Sequence, residues 1–157
     1  MKLYIRNGKR FEEATEQAIY HAAEVQAERA LYQSEPFNSP DKVSRFLRAH
    51  FAGEQREHFT VLFCNNQNQL IAIERLFSGT IDSASVYPRE VVKSALHHNS
   101  NAIILAHNHP SGIAEPSTSD RQITKRIVDA CALLDIRVLD HMVIGDDIVS
   151  FAERGWI

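Results

Sequence analysis

Apolar positions along this chain change their period near residue 57. Before it, Ala14, Ala18, Ala22 and Val25 recur at spacings of four, four and three, which predicts a helix over residues 11–32 with one apolar face. Glu13, Glu16 and Glu24 fall on its opposite face. Gln33 to Pro40 carries Ser34, Pro36, Asn38, Ser39 and Pro40, which is loop chemistry. Ser39-Pro40-Asp41 opens a second, short helix to about His50, with Val43, Phe46 and Leu47 facing inward, and Gly53 ends it.

From Glu57 onward the pattern is that of a sheet with interleaved helices. Phe59 to Cys64 is a continuous apolar run and predicts a largely buried strand. Asn65 to Asn68 is a turn, and Gln69 to Phe77 a second strand joined as a hairpin. Pro88 starts a helix that Val91, Val92, Ala95 and Leu96 carry to about His98. The adjacent His97 and His98 then sit at its negative C-terminal end. Asn101 to Ala106 is a buried strand, and His107 to Pro116 a polar loop. Ser117 opens a long helix with Ile123, Ile127, Ala130 and Leu134 on its core face. Strands follow at 136–144 and 148–151, around a Gly145-Asp146-Asp147 turn. The order β-β-α-β-α-β-β predicts an α/β domain, a mixed sheet sandwiched by helices, over residues 39–157. Residues 1–38 read as an N-terminal helical extension.

Composition narrows the class. At 157 residues, 44% hydrophobic and 24% charged, the chain suits one soluble globular domain. Its longest aliphatic run, Ala102 to Ala106, is too short to cross a bilayer, and Met1 to Arg10 has no apolar segment of a secretory signal. Cys64 and Cys131 lie in apolar stretches and read as buried, reduced thiols of a cytoplasmic protein. Net charge is −3, and no block of like charge supports nucleic acid as a partner.

Chemistry concentrates after the third strand of this domain, in His107-Asn108-His109-Pro110-Ser111-Gly112 through Ser117-Thr118-Ser119-Asp120. Histidines at i and i+2 on extended backbone point to one side, so both imidazoles can reach one ion. Asp120, eleven residues after His109, falls in the first turn of the next helix. Two imidazoles and a carboxylate leave a fourth tetrahedral position open, the ligand count of a catalytic zinc. Such a zinc lowers the pKa of bound water and polarises a carbonyl. Ser117 and Asp120 also fit a helix cap, which is compatible with ligation.

The spacing His107-x-His109-x7-Ser117-x2-Asp120 resembles the signature of the JAMM (MPN+) zinc metalloprotease family. The stretches Arg56-Glu57-His58-Phe59, Gly79-Thr80-Ile81-Asp82-Ser83-Ala84, Leu139-Asp140-His141 and Val149-Ser150-Phe151-Ala152-Glu153-Arg154-Gly155 resemble its bacterial RadC-like branch, over about residues 40–157. The resemblance implies a layered sheet like that of the cytidine deaminases. It implies one zinc per chain, held by His107, His109 and Asp120, with Ser117 hydrogen-bonding the developing oxyanion. It also implies an upstream glutamate that acts as general acid and base. Glu57, Glu74 and Glu90 precede the histidines, and Glu57 lies just before a strand, where the family places its glutamate. Glu74 is expected to face solvent and Glu90 to cap or pair. Relatives that cut isopeptide bonds often have serine between the histidines, where this chain has Asn108. His141 is expected to be either a satisfied, semi-buried histidine or a neighbour of the site.

The expected function is zinc-dependent hydrolysis of an amide bond in a peptide or protein substrate, as a metallopeptidase or isopeptidase. The alternatives are a protein associated with DNA repair, recombination or mobile elements, and a metal-binding interaction module without turnover. A homodimer is compatible with either. A zinc deaminase needs H-x-E and P-C-x-x-C, which are absent.

Overall fold

The computed structural model describes residues 3–7, 10–32, 40–79 and 86–157. Its N-terminus departs from expectation. Strands β1 (Tyr4–Asn7) and β2 (Arg10–Glu13) pair antiparallel, with Tyr4 opposite Glu13. Helix α1 therefore runs over Glu16–Tyr32 and not from residue 11. The reason is local: the Thr15 hydroxyl accepts from the Ala18 N–H at 3.2 Å, a side-chain cap that defines where the helix begins. The expected face of α1 is also incomplete. Ala18 and Val25 are half-buried but Ala22 is exposed, and Glu24, expected on the outer face, turns inward to His50. The expected loop at 33–39 lies outside the described residues.

Helix α2 (Pro40–His50) buries Val43, Phe46 and Leu47, as its spacing predicts. Strands β3 (His58–Cys64) and β4 (Leu70–Ser78) form the hairpin. Then come α3 (Pro88–His97), β5 (Ala102–Asn108), α4 (Thr118–Ala132), β6 (Arg137–Ile144) and β7 (Ile148–Ser150). The five-stranded sheet has the order β4-β3-β5-β6-β7. Only β5 and β6 pair in parallel, joined by α4 as the crossover; the other neighbours are antiparallel. The mixed α/β architecture expected from the chain is present.

Alternation on β3 and β5 separates two cores. Phe59, Val61, Phe63, Ile103 and Leu105 point to one face and pack with Val91 and Ala95 of α3 and Ile123, Ile127 and Cys131 of α4. Leu62, Ile104 and Ala106 point to the other and pack with α2, Met142 and Ile144. Both strands are buried along their whole length, which is why they read as continuous apolar runs. Two boundaries differ from expectation. Strand β5 continues through His107 and Asn108, which were expected in a loop, because they pair in register with Val143 and Ile144. The core face of α4 carries Cys131, while Leu134 lies past the helix end and is exposed. Both cysteines are free and buried, and burial raises their thiols to about 12 at Cys64 and about 11 at Cys131.

Candidate metal centre

The parallel pair β5–β6 and its crossover helix put the C-terminal end of β5 beside the first turn of α4. That is where open α/β sheets place ligands. His107 has the parity of Phe59 and Leu105, so it faces α4; Asn108 has the opposite parity. His109 follows directly, with its N–H on the Ile144 carbonyl at 2.8 Å. The loop beyond it is clamped to the β6–β7 turn by Asp146 N–H to the Gly112 carbonyl, at 2.7 Å. Gly112 has φ +84°, and a Cβ on Gly145 would lie 2.3 Å from the Gly112 oxygen. Glycine at both positions lets two backbones touch here.

His107 Nε2, His109 Nε2 and the Asp120 carboxylate converge. The separations are 3.0 Å between the two nitrogens, 3.3 Å from His107 to Asp120 Oδ1 and 3.7 Å from His109 to Asp120 Oδ2. Ligands on a tetrahedral zinc, with bonds of about 2.0 Å, sit roughly 3.3 Å apart. The donor set and its spacing therefore fit a metal ion. Among the described residues this is the group of histidine, cysteine and carboxylate side chains close enough to hold one. Each imidazole is oriented from behind. His109 Nδ1 faces the Ile113 carbonyl at 2.7 Å, and His107 Nδ1 faces His141 Nε2 at 2.8 Å.

Electrostatics follow from this packing. Burial pushes the Asp120 carboxyl up, but its polar contacts with His107, His109 and Ser117 outweigh it and hold it well below the usual range. The bond to Asp120 raises His109, against its partial burial. His141 is fully buried, and burial above all holds it well below the usual histidine value.

The remaining expected residues lie as follows. Ser117 is the N-cap of α4 and closes a capping box: it accepts from the Asp120 N–H at 3.1 Å, and Asp120 Oδ2 accepts from the Ser117 N–H at 2.7 Å. Its hydroxyl donates to the same Oδ2 at 2.7 Å. Glu57 and Ser117 line one cleft of about 380 Å³ with His109, Ser111, Ile113, Glu115 and Asp120. Glu74 and Glu90 line a different groove, between β4 and α3. Glu74 is half-exposed but not free in solvent: it accepts from Ser94 and bonds His98, while Glu90 pairs with Arg89 at 3.3 Å. His141 is more buried than expected and touches His107.

Three features were not anticipated from the sequence. Asn108 Oδ1 accepts from the His58 N–H at 2.8 Å and its Nδ2 donates to the Arg56 carbonyl at 2.9 Å, bracketing Glu57 on both sides. Thr124 bonds His141. Buried Asp140 accepts from the N–H groups of His141 and Ala152 and from the Ser150 hydroxyl, tying the C-terminal turn to β6. A buried asparagine between two candidate ligands was the one available signal, since a buried amide must find partners.

The model of the RadC-like JAB domain family matches residues 37–156. A UPF0758 protein of Vibrio atlanticus is 54% identical over 142 residues, and one of Vibrio parahaemolyticus is 55% identical over the same length. A UPF0758 protein of Cellvibrio japonicus is 54% identical over 142 residues. In each case the match covers 90% of this chain and 63% of the relative, so the aligned region is less than two thirds of those proteins. Among the described residues no helix is long and apolar enough to cross a membrane. With the convergent donors, the mixed sheet and a family match across most of its length, the chain belongs to the RadC-like JAB domain family.

Proposed function

We propose that this chain is a zinc-dependent hydrolase of amide bonds, acting on a peptide or protein. His107, His109 and Asp120 would hold one zinc. When bound, zinc supplies Lewis acidity toward a carbonyl and lowers the pKa of water. The carrying observation is that Glu57 and Ser117 share one cleft with His109 and Asp120 of this donor set. Glu57 accepts the proton of the attacking water and returns it to the leaving nitrogen. The Ser117 hydroxyl, which donates to Asp120 at rest, turns to donate to the developing oxyanion. Asn108 holds the backbone on either side of Glu57, so the carboxylate is presented from a fixed strand end.

Elemental analysis of tag-free protein beside His109→Ala tests the metal. The expected result is about one zinc per chain in the wild type and none in the variant. A zinc-loaded screen of peptide and isopeptide substrates, with Glu57→Ala as the inactive control, tests the chemistry. Zinc absent from both proteins after reconstitution overturns the centre. Zinc retained with no cleavage of any substrate favours an interaction module that keeps the metal without turnover.

A further inference from the structure

We propose that His141 and Thr124 are positioning residues that set the tautomer and orientation of His107 toward the metal. This rests on the metal-centre reading. The chain of contacts has a direction that elementary hydrogen-bond accounting supplies. Thr124 Oγ1 lies 2.6 Å from the Asp120 main-chain carbonyl and 2.6 Å from His141 Nδ1. A hydroxyl has one hydrogen, and a carbonyl has none. Thr124 therefore donates to the carbonyl, and it accepts from His141, whose Nδ1 must carry a hydrogen. His141 is fully buried, with Phe59 and Phe151 rings at 5.6 Å and 4.7 Å. Burial among these rings disfavours a second hydrogen, which would make the imidazole a cation. Its Nε2 is then a bare acceptor, and the His107 Nδ1–H donates to it across 2.8 Å. That leaves the His107 Nε2 lone pair pointing at His109 and Asp120.

The arrangement closes on itself. Asp120 offers its carboxylate to the centre and its main-chain carbonyl to Thr124 one turn later. Two of the three donors are thus tied through a buried path, from Asp120 through Thr124 and His141 to His107. The third, His109, is oriented by the carbonyl of exposed Ile113. Acceptors behind a ligating histidine change metal affinity by roughly 10–100-fold when removed.

The test uses zinc alone, titrated against a competing chelator, on the full chain. His141→Phe keeps a ring and loses the acceptor; zinc affinity should fall about 10–100-fold. His141→Gln keeps an acceptor at similar reach and should recover most of it. Thr124→Val should weaken binding less than His141→Phe, and Thr124→Ser should match wild type. Thermal unfolding in chelator shows whether each variant folds. Nitrogen-15 spectra of zinc-loaded wild type should show the His141 hydrogen on Nδ1. Unchanged affinity in a folded His141→Phe, or a His141 hydrogen on Nε2, overturns the proposal. Should His141→Phe not fold, Thr124→Val and the wild-type tautomer decide. A wild type that binds no zinc overturns the metal centre, and this inference with it.

Discussion

The protein carries two pairs of histidines close in sequence, each near carboxylates, and only one pair converges. His97 and His98 end α3; their rings lie 5.1 Å apart. His107 and His109 end β5; their rings lie 4.8 Å apart. Ring distance hardly separates them, but backbone period does. Neighbours on a helix differ by about 100° around its axis, so His98 turns in to Glu74 while His97 stays exposed. Residues i and i+2 on extended backbone share a side, so His107 and His109 aim both Nε2 atoms at one point. The carboxylates differ in the same way. Asp120 is buried in the first turn of α4 and pinned by a capping box. Glu74 is shared between a hydroxyl and one histidine, and serves to join β4 to α3.

The largest expected effect breaks the converging pair. His107→Ala should lower zinc from about one per chain to none, while His98→Ala leaves it unchanged; elemental analysis of both reads the contrast. Next comes the residue between the converging histidines. Asn108→Ala strips partners from the His58 N–H and the Arg56 carbonyl and should cost about 2–4 kcal/mol in chemical denaturation. A loss under about 0.5 kcal/mol would show that the clamp on Glu57 is incidental. On the structural side, Ser94→Ala removes one half-exposed donor to Glu74 and should cost about 1 kcal/mol, with zinc affinity unmoved.

A smaller effect is a pH slope. In metal-free protein the folded pKa of His109 lies above its unfolded value, chiefly through its bond to Asp120. That contribution to stability is complete below the unfolded value of about 6.5 and fades as pH rises through the higher folded one. His50 has the opposite sign: burial lowers it against the attraction of Glu24, so its contribution fades as pH falls. Denaturation of wild type minus His109→Ala across pH 6 to 8 isolates the first slope, and zinc should abolish it by displacing the proton. Smallest of all, His97→Ala should change stability by less than about 0.5 kcal/mol and metal content not at all.

Much of this was legible along the chain. The apolar runs at 59–64 and 102–106 marked the two central strands, because strands buried on both faces tolerate few polar positions. Ser117 and Asp120 marked a helix start, since orphan N–H groups there demand acceptors. The N-terminal hairpin was missed because β2 is four residues long, its side chains are all exposed and Phe11 is its one apolar residue, so no alternation marks it. Glu74 was misjudged because a half-buried strand residue has no sequence mark distinguishing it from a solvated one. Thr124 and His141 lie seventeen residues apart on a helix and a strand, and no local pattern announces that they touch.

What the sequence determined by itself was periodicity and inventory. It set which stretches form strands or helices, and it placed two histidines, a serine and an aspartate at spacings compatible with one ion. Tertiary structure decided convergence. The parallel crossover from β5 through α4 to β6 brings Asp120 to 3.3 Å from His107, and it puts His141 behind that ring. It also separates Glu57 from Glu74 and Glu90, lining the donor cleft with one and a distant groove with the others. Strand and helix preferences act over a few residues, where side-chain rotation and backbone hydrogen bonds are local. Distances between elements are set by burying two apolar faces of one sheet at once, and that requirement belongs to the whole fold.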